Sequence, residues 1–316
     1  MSRGGRKGAL RWAASGLVLA LALALAWAVG AAVSQGRVGP SDLASLPGWP
    51  FAAVPCPTPD YGPLEEQLRR QLARGVAREY GLYFVDLPSG RSFGIYADRP
   101  LPAASVVKIP IVLGLYQQIA RGEATLDQRV AYDARRDYEG GDGVLRFTAR
   151  NGDAFALRVL AKMAISVSDN VATQMIIRHL GRGRIVQYMR ALGGRCVYPG
   201  GENLSTARDA ATYLQAALDF QARYPVLGRL FFDDLAYSIY HVGLPGELPP
   251  DVVVAHKEGS LEDVANDAGI VFCRRPFILT VFLHGVPGED AGFRHIARLA
   301  RLAYDYQMRY APAPGR

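Results

Sequence analysis

Hydrophobic positions along this chain fall into three rhythms. Residues 12–33 form one unbroken apolar run without a charged side chain. Both ends of the remaining chain carry short, strand-like runs. Residues 82–86 and 91–96 flank a Pro88-Ser89-Gly90 turn, which predicts a hairpin. Residues 251–256, 268–273 and 277–284 are three further strand candidates. Between these ends the apolar spacing is helical. Ile109, Ile111, Val112, Leu113, Leu115, Tyr116 and Ile119 surround a segment that should be a fully buried helix, with Gly122 to end it. Helices are also predicted over 155–165, 171–179 and 185–192, the last two followed by Gly181 and Gly193, and over 207–218 with Ser205 or Thr206 as its cap. A last helix carries Phe293, Ile296, Ala297, Ala300 and Tyr304 on one face. The fold class expected is α+β: a five-stranded antiparallel sheet flanked by helices, built from both chain ends, with an inserted, mainly helical subdomain over about 113–249.

The charge pattern sharpens the reading of the first run. Formal net charge is +7, but Arg3, Arg6, Lys7 and Arg11 precede the apolar run, and subtracting these four leaves +3. A mildly basic remainder argues against a nucleic-acid partner. Residues 1–34 read either as a cleaved signal, with the small residues of 28–32 as its site, or as a membrane anchor, for which about 20 apolar residues suffice. Basic residues on the N-terminal side keep that end in the cytoplasm, so both readings place the domain in an extracytoplasmic location, with membrane contact through this segment only. Residues 35–60 and the tail from 311 are rich in Pro and Gly and read as linkers around a domain spanning 61–311. Half the residues are hydrophobic, enough for a sizeable core. The three cysteines, Cys56, Cys196 and Cys273, imply no disulfide, and Cys273, ending a strand-like run, is expected to be buried.

Three short motifs carry the candidate chemistry. Ser105-Val106-Val107-Lys108 opens the apolar helix and brings a hydroxyl and an amine to one helix face. A serine attacks well only beside a base, and burial together with a helix N-terminus favours a neutral lysine. Alone the pattern is common and is satisfied by a capping serine with a surface lysine; at the head of an all-apolar helix a surface lysine is out of place. Ser168-Asp169-Asn170 follows 63 residues later at a helix junction, where all three types also serve as caps. His256-Lys257-Glu258-Gly259-Ser260 is 89 residues further on, at the end of a strand-like run.

In this order the three motifs resemble those of the class A β-lactamases and their penicillin-recognising relatives: Ser-x-x-Lys, Ser-Asp-Asn and Lys-Thr-Gly. The resemblance covers roughly 75–310 and implies a β-lactamase/transpeptidase-like architecture. It implies Ser105 as nucleophile, Lys108 and Ser168 as proton-transfer groups, and Asn170 as the holder of the acyl-side carbonyl. Asp169 would brace the loop. Lys257 would supply positive charge near the substrate carboxylate, Gly259 would let substrate lie against the strand, and Ser260 would join Ser105 in donating backbone N–H groups to an oxyanion. The activity implied is acylation of Ser105 by a small-molecule β-lactam or a peptidoglycan-like peptide, followed by hydrolysis. D-Ala-D-Ala peptidase-like chemistry with slow deacylation, and a catalytically reduced binding module, remain as alternatives.

Two departures qualify that implication. Glu258 stands where the family has threonine, putting acceptors where a donor to a carboxylate is needed. Glu258 can pair with Lys257 or an arginine, Ser260 can supply the missing hydroxyl, or the substrate can lack a carboxylate. The second departure is a short loop: 40 residues separate Ser168 from Arg208, in a Ser205-Thr206-Ala207-Arg208-Asp209 stretch that resembles the element closing the family's deacylation loop. Glu202 within it is either the water-activating base or a solvated acid. The five histidines show no metal-ligand spacing, so no metal and no cofactor are expected.

Overall fold

The structure, a computed structural model, describes residues 58–311. The expected signal or anchor, Cys56 and all but the last three residues of the 35–60 linker lie outside the described residues. Among the described residues no helix is long and apolar enough to cross a membrane.

In chain order the elements are α1 (Gly62–Ala73), β1 (Glu79–Asp86), β2 (Ser92–Ile95), β3 (Leu101–Pro102), a 3-10 turn (Ala104–Val107), α2 (Lys108–Ala120), β4 (Arg129–Ala131), α3 (Leu145–Thr148) and β5 (Ala154–Ala156). Then come α4 (Leu157–Ser166), α5 (Asn170–Leu180), α6 (Arg182–Ala191), β6 (Leu204–Ser205), α7 (Ala207–Arg223) and α8 (Pro225–Ala236). Finally β7 (Val253–Leu261), β8 (Val264–Phe272), β9 (Phe277–His284) and α9 (Glu289–Arg309) complete the domain.

Both ends of the domain meet in one antiparallel sheet of order β2-β1-β9-β8-β7, as expected for an α+β fold. Alternation along the strands sorts side chains into two cores, because successive strand residues face opposite sides. Val271, Phe277, Leu279, Val281 and Leu283 pack with Leu64, Leu68 and Leu72 of α1 and Phe293, Ile296 and Leu299 of α9. Ala268, Ile270, Ile278 and Phe282 face the helical half instead, where α2, α4, α5, α7 and α8 surround Ile111, Leu113 and Leu115. Each fully buried leucine contributes roughly 1.5–3 kcal/mol.

A buried ion pair ties the first core together. The Arg275 guanidinium donates to both Asp86 oxygens at 3.0 and 2.7 Å, and Gln307 donates to the same carboxylate at 2.9 Å. Burial alone would push the Asp86 carboxyl up; the bonds from Arg275, Ser89 and Gln307 outweigh it and hold it below its ordinary value.

Local details depart from expectation at two places. Ser105 does not sit in the α-helix it was expected to open; it lies in the 3-10 turn, and α2 begins at Lys108. Cys273 is half-buried rather than buried, its thiol donating to the Arg275 carbonyl at 3.1 Å and pushed up by burial to about 11.

Candidate active site

The nucleophile candidate stands where three segments close. The 3-10 turn starts at Ala104, a non-glycine residue in left-handed backbone (φ 46°), and leaves Ser105 half-buried between the buried Ala104 and Val106. Ser105 is half-buried and Lys108 is 4 % exposed. On one side the loop before α7 pins the turn: Asn203 accepts from the Ala103 N–H at 2.9 Å, and its side chain donates to the Ala104 carbonyl at 3.1 Å. On the other side lies β7, the edge strand of the sheet. There a Cβ on Gly259 would stand 2.9 Å from the Ser105 nitrogen and 3.0 Å from the Ala103 carbonyl oxygen. Only glycine fits that approach.

Ser168-Asp169-Asn170 supplies the far wall. Asp169 caps α5 through the Ala172 N–H at 2.8 Å and also accepts from the Val144 and Leu145 N–H groups at 2.7 and 2.9 Å. That carboxylate therefore locks the 140–145 loop onto the motif, as its bracing role requires. Asn170 donates to the Gly140 carbonyl at 2.6 Å, and its N–H donates to the Asp142 carbonyl at 3.1 Å. Ser168 is fully buried in left-handed backbone (φ 55°), a conformation that costs a non-glycine residue free energy and turns both its oxygens towards Lys108.

Lys108 Nζ lies 2.6 Å from the Ser168 carbonyl oxygen, 2.7 Å from Asn170 Oδ1 and 3.1 Å from Ser168 Oγ. Ser168 Oγ in turn is 3.1 Å from Ser105 Oγ. Burial pulls the Lys108 ammonium down to about 7, helped by the charge of Lys257 and opposed by Asp142, Glu258 and Asp169. A neutral amine has two N–H groups and one lone pair. The two carbonyl-type acceptors take the N–H groups, which leaves the lone pair for the Ser168 hydroxyl. The hydrogen-bonded path from Lys108 to Ser105 thus runs through Ser168.

The third motif lies within β7, which continues past His256 to Leu261 because Lys257 pairs with Ala268 and Gly259 with Asn266. Lys257 is fully buried. Its ammonium donates to the Glu258 carboxylate and, at 3.0 Å, to the Glu258 carbonyl. Of the partners open to Glu258, the structure selects Lys257. Ser260 is half-buried on the same strand, opposite Ala265. Glu202 is exposed, and its carboxylate has no hydrogen-bond partner among the described residues. Arg208 and Asp209 do not pair with each other: Arg208 binds Asp98 at 2.6 and 2.9 Å, whereas Asp209 accepts from the Arg195 and Cys196 N–H groups at 3.1 and 2.7 Å.

Of the residues singled out in the sequence, Ser105, Lys108, Ser168 and Asn170 are joined by hydrogen bonds and Gly259 packs on the Ser105 amide, while Lys257 and Ser260 lie on the same strand as Gly259. The β-lactamase enzyme family model matches residues 63–307, a span that contains every one of them. The chain belongs to the β-lactamase enzyme family. It is a β-lactamase-like serine hydrolase. The β-lactamase of Streptomyces albus G is 26 % identical over 236 residues, covering 66 % of this chain and 74 % of that one. A β-lactamase structure from Sphaerobacter thermophilus superposes with a TM-score of 0.70 at 27 % identity, over 80 % of this chain and 100 % of that one. A mutant of PBP-A, determined as an acyl-enzyme with penicillin G, gives 0.72 at 25 % identity over 78 % and 97 %. Sequence motifs missed the 140–145 loop as a wall of this family's cleft in the present chain. Its attachment to Asp169 and Asn170 leaves no local signal in the sequence.

Proposed function

We propose that this hydrolase works through an acyl-enzyme at Ser105, formed with β-lactams and related peptide amides and released slowly. The observation that carries the proposal is the continuous path Ser105 Oγ, Ser168 Oγ, Lys108 Nζ, ending on an amine near neutrality. Ser105 Oγ attacks the carbonyl carbon as its proton passes to Ser168, whose own proton moves to the Lys108 lone pair. Backbone N–H groups of Ser105 and Ser260 hold the oxyanion. Collapse breaks the C–N bond, and the proton returns through Ser168 to the leaving nitrogen. Asn170 holds the acyl side, while Gly259 leaves room for substrate along β7. Water then cleaves the ester and regenerates Ser105.

Slow release is supported by Glu202, which is exposed and has no side-chain hydrogen bond among the described residues, whereas a base must be held within hydrogen-bond reach of its water. The acylated PBP-A variant supports β-lactams as acylating agents. The basic tip and apolar run of 1–34 support an extracytoplasmic domain that is either tethered or released. Intact-mass measurement after mixing with penicillin G is the test. A persistent adduct that maps to Ser105 and disappears in Ser105→Ala is expected. Rapid steady release of product from a chromogenic cephalosporin without adduct would overturn slow deacylation, and failure of both penicillin G and a fluorophosphonate to label Ser105 would overturn the nucleophile assignment.

A further inference from the structure

Strand β7 gives the cleft an acidic wall whose partner lysine is already taken. Glu258 is 5 % exposed and immediately precedes Gly259, the residue packed on the Ser105 amide. One carboxylate oxygen accepts from Lys257 and the other from the Ser238 hydroxyl at 3.4 Å. Lys257 also donates to the Glu258 carbonyl and lies 5.8 Å over the Tyr240 ring. The second amine of the site, Lys108, spends its N–H groups on Ser168 and Asn170. Asp142 adds another carboxylate on the opposite rim, close enough that its charge acts on both Lys108 and Tyr240. Among the described residues, Lys257 is committed to Glu258 and the Lys108 amine to Ser168 and Asn170, so neither is left free for an incoming anion.

The part of the substrate that meets this wall follows from the proton path. Ser168 and Lys108 return the proton to the leaving group, and Lys108 feels the charges of both Lys257 and Glu258. Glu258 also precedes Gly259, which packs on the Ser105 amide, so a leaving group protonated by Ser168 and Lys108 departs within reach of that carboxylate. A carboxylate offers only acceptors and attracts donors, whereas a like charge placed against it is disfavoured.

We propose that Glu258 determines specificity: acyl donors whose leaving group carries an uncharged hydrogen-bond donor, such as a carboxamide, are favoured over those carrying a carboxylate. The proposal rests on the Ser105 acyl-transfer reading above.

Two thioesters with the same N-acyl-D-alanyl part test it, one with a thioglycolate and one with a thioglycolamide leaving group. The native protein should show kcat/KM at least about tenfold higher for the thioglycolamide. Glu258→Gln should narrow that ratio, and Glu258→Thr should bring it to one or below. Equal use of both thioesters by the native protein, or preference for the thioglycolate, overturns the proposal, as does an unchanged ratio in both variants. A fluorophosphonate, which carries no carboxylate, reports the nucleophile separately. If it labels Ser105 while neither thioester reacts, the specificity proposal alone fails. If it does not label Ser105, the acyl-transfer reading fails and this one with it.

Discussion

Gly259 touches the Ser105 turn so closely that a methyl group cannot enter: its Cβ would lie 2.9 Å from the Ser105 nitrogen and 3.1 Å from the Ala104 Cβ. Gly259→Ala should therefore push the nucleophile turn off β7. Acylation by penicillin G should slow by about 10²-fold, because small displacements of a reacting group carry penalties of that size. The melting temperature should change far less than the rate. A variant that acylates normally would show that the turn and strand are not in register as described.

The pH dependence of acylation should follow Lys108. The reactive form is the neutral amine, so kcat/KM should rise with pH through about 7, where burial and Lys257 place this group. Lys257 disfavours the charged amine, and Glu258, Asp142 and Asp169 favour it. Lys257→Gln should move the rising limb to higher pH, and Glu258→Gln should move it to lower pH. Displacements on the order of half a unit are expected. Shifts in the same direction for both variants would contradict the assignment of the limb to Lys108.

Ser168 is both a hydroxyl and a strained backbone position, and the two roles separate experimentally. Ser168→Ala should lower the acylation rate by about 10²–10³-fold, within the usual range for a lost proton-transfer group. Ser168→Gly removes the same hydroxyl while relaxing the left-handed backbone (φ 55°), so it should be more stable than Ser168→Ala yet equally slow. Recovery of the rate in the glycine variant would assign Ser168 a backbone role only.

Glu202→Gln checks the release step. With its carboxylate exposed and without a partner among the described residues, the lifetime of the penicillin adduct should stay within about twofold of the native value. A large increase in lifetime would identify Glu202 as the water-activating base.

Stability should depend on the Asp86–Arg275 pair, remote from the cleft. Removing one partner of a buried pair typically costs about 3–5 kcal/mol, so Asp86→Asn should lose on this scale at pH 7 in urea unfolding. The Asp86 carboxyl is held below its unfolded value, so its contribution is present above that value and fades as pH falls through the folded one. The difference between native and variant should accordingly shrink towards pH 3.

The strands at both chain ends and the helices between them were legible because their apolar spacing repeats locally. Thr206 and Asp169 cap α7 and α5 as their side chains allow. Elements whose pattern is not local were missed. α1 joins the domain through Leu64, Leu68 and Leu72 directly after a linker-like stretch, and α8 begins at Pro225, whose ring suits a first helical turn but reads equally as a breaker. β7 was cut short at His256, since the polar Lys257 and Glu258 that follow are buried by pairing with each other rather than by apolar packing. Polar side chains there hide the alternation on which strand recognition depends.

The amino-acid sequence by itself determined which groups this enzyme has to work with: a serine and lysine one turn apart, a second serine with an amide, and a late lysine and glycine. The fold alone decided how they connect. Separations of 63 and 89 residues close only when the sheet forms from both chain ends and the helical half packs against it. That packing links Lys108 to Ser105 through hydrogen bonds to Ser168, fastens the 140–145 loop to Asp169, and turns Glu258 onto Lys257. Buried polar groups must find partners, and which partner is nearest is a property of three-dimensional packing rather than of order along the chain.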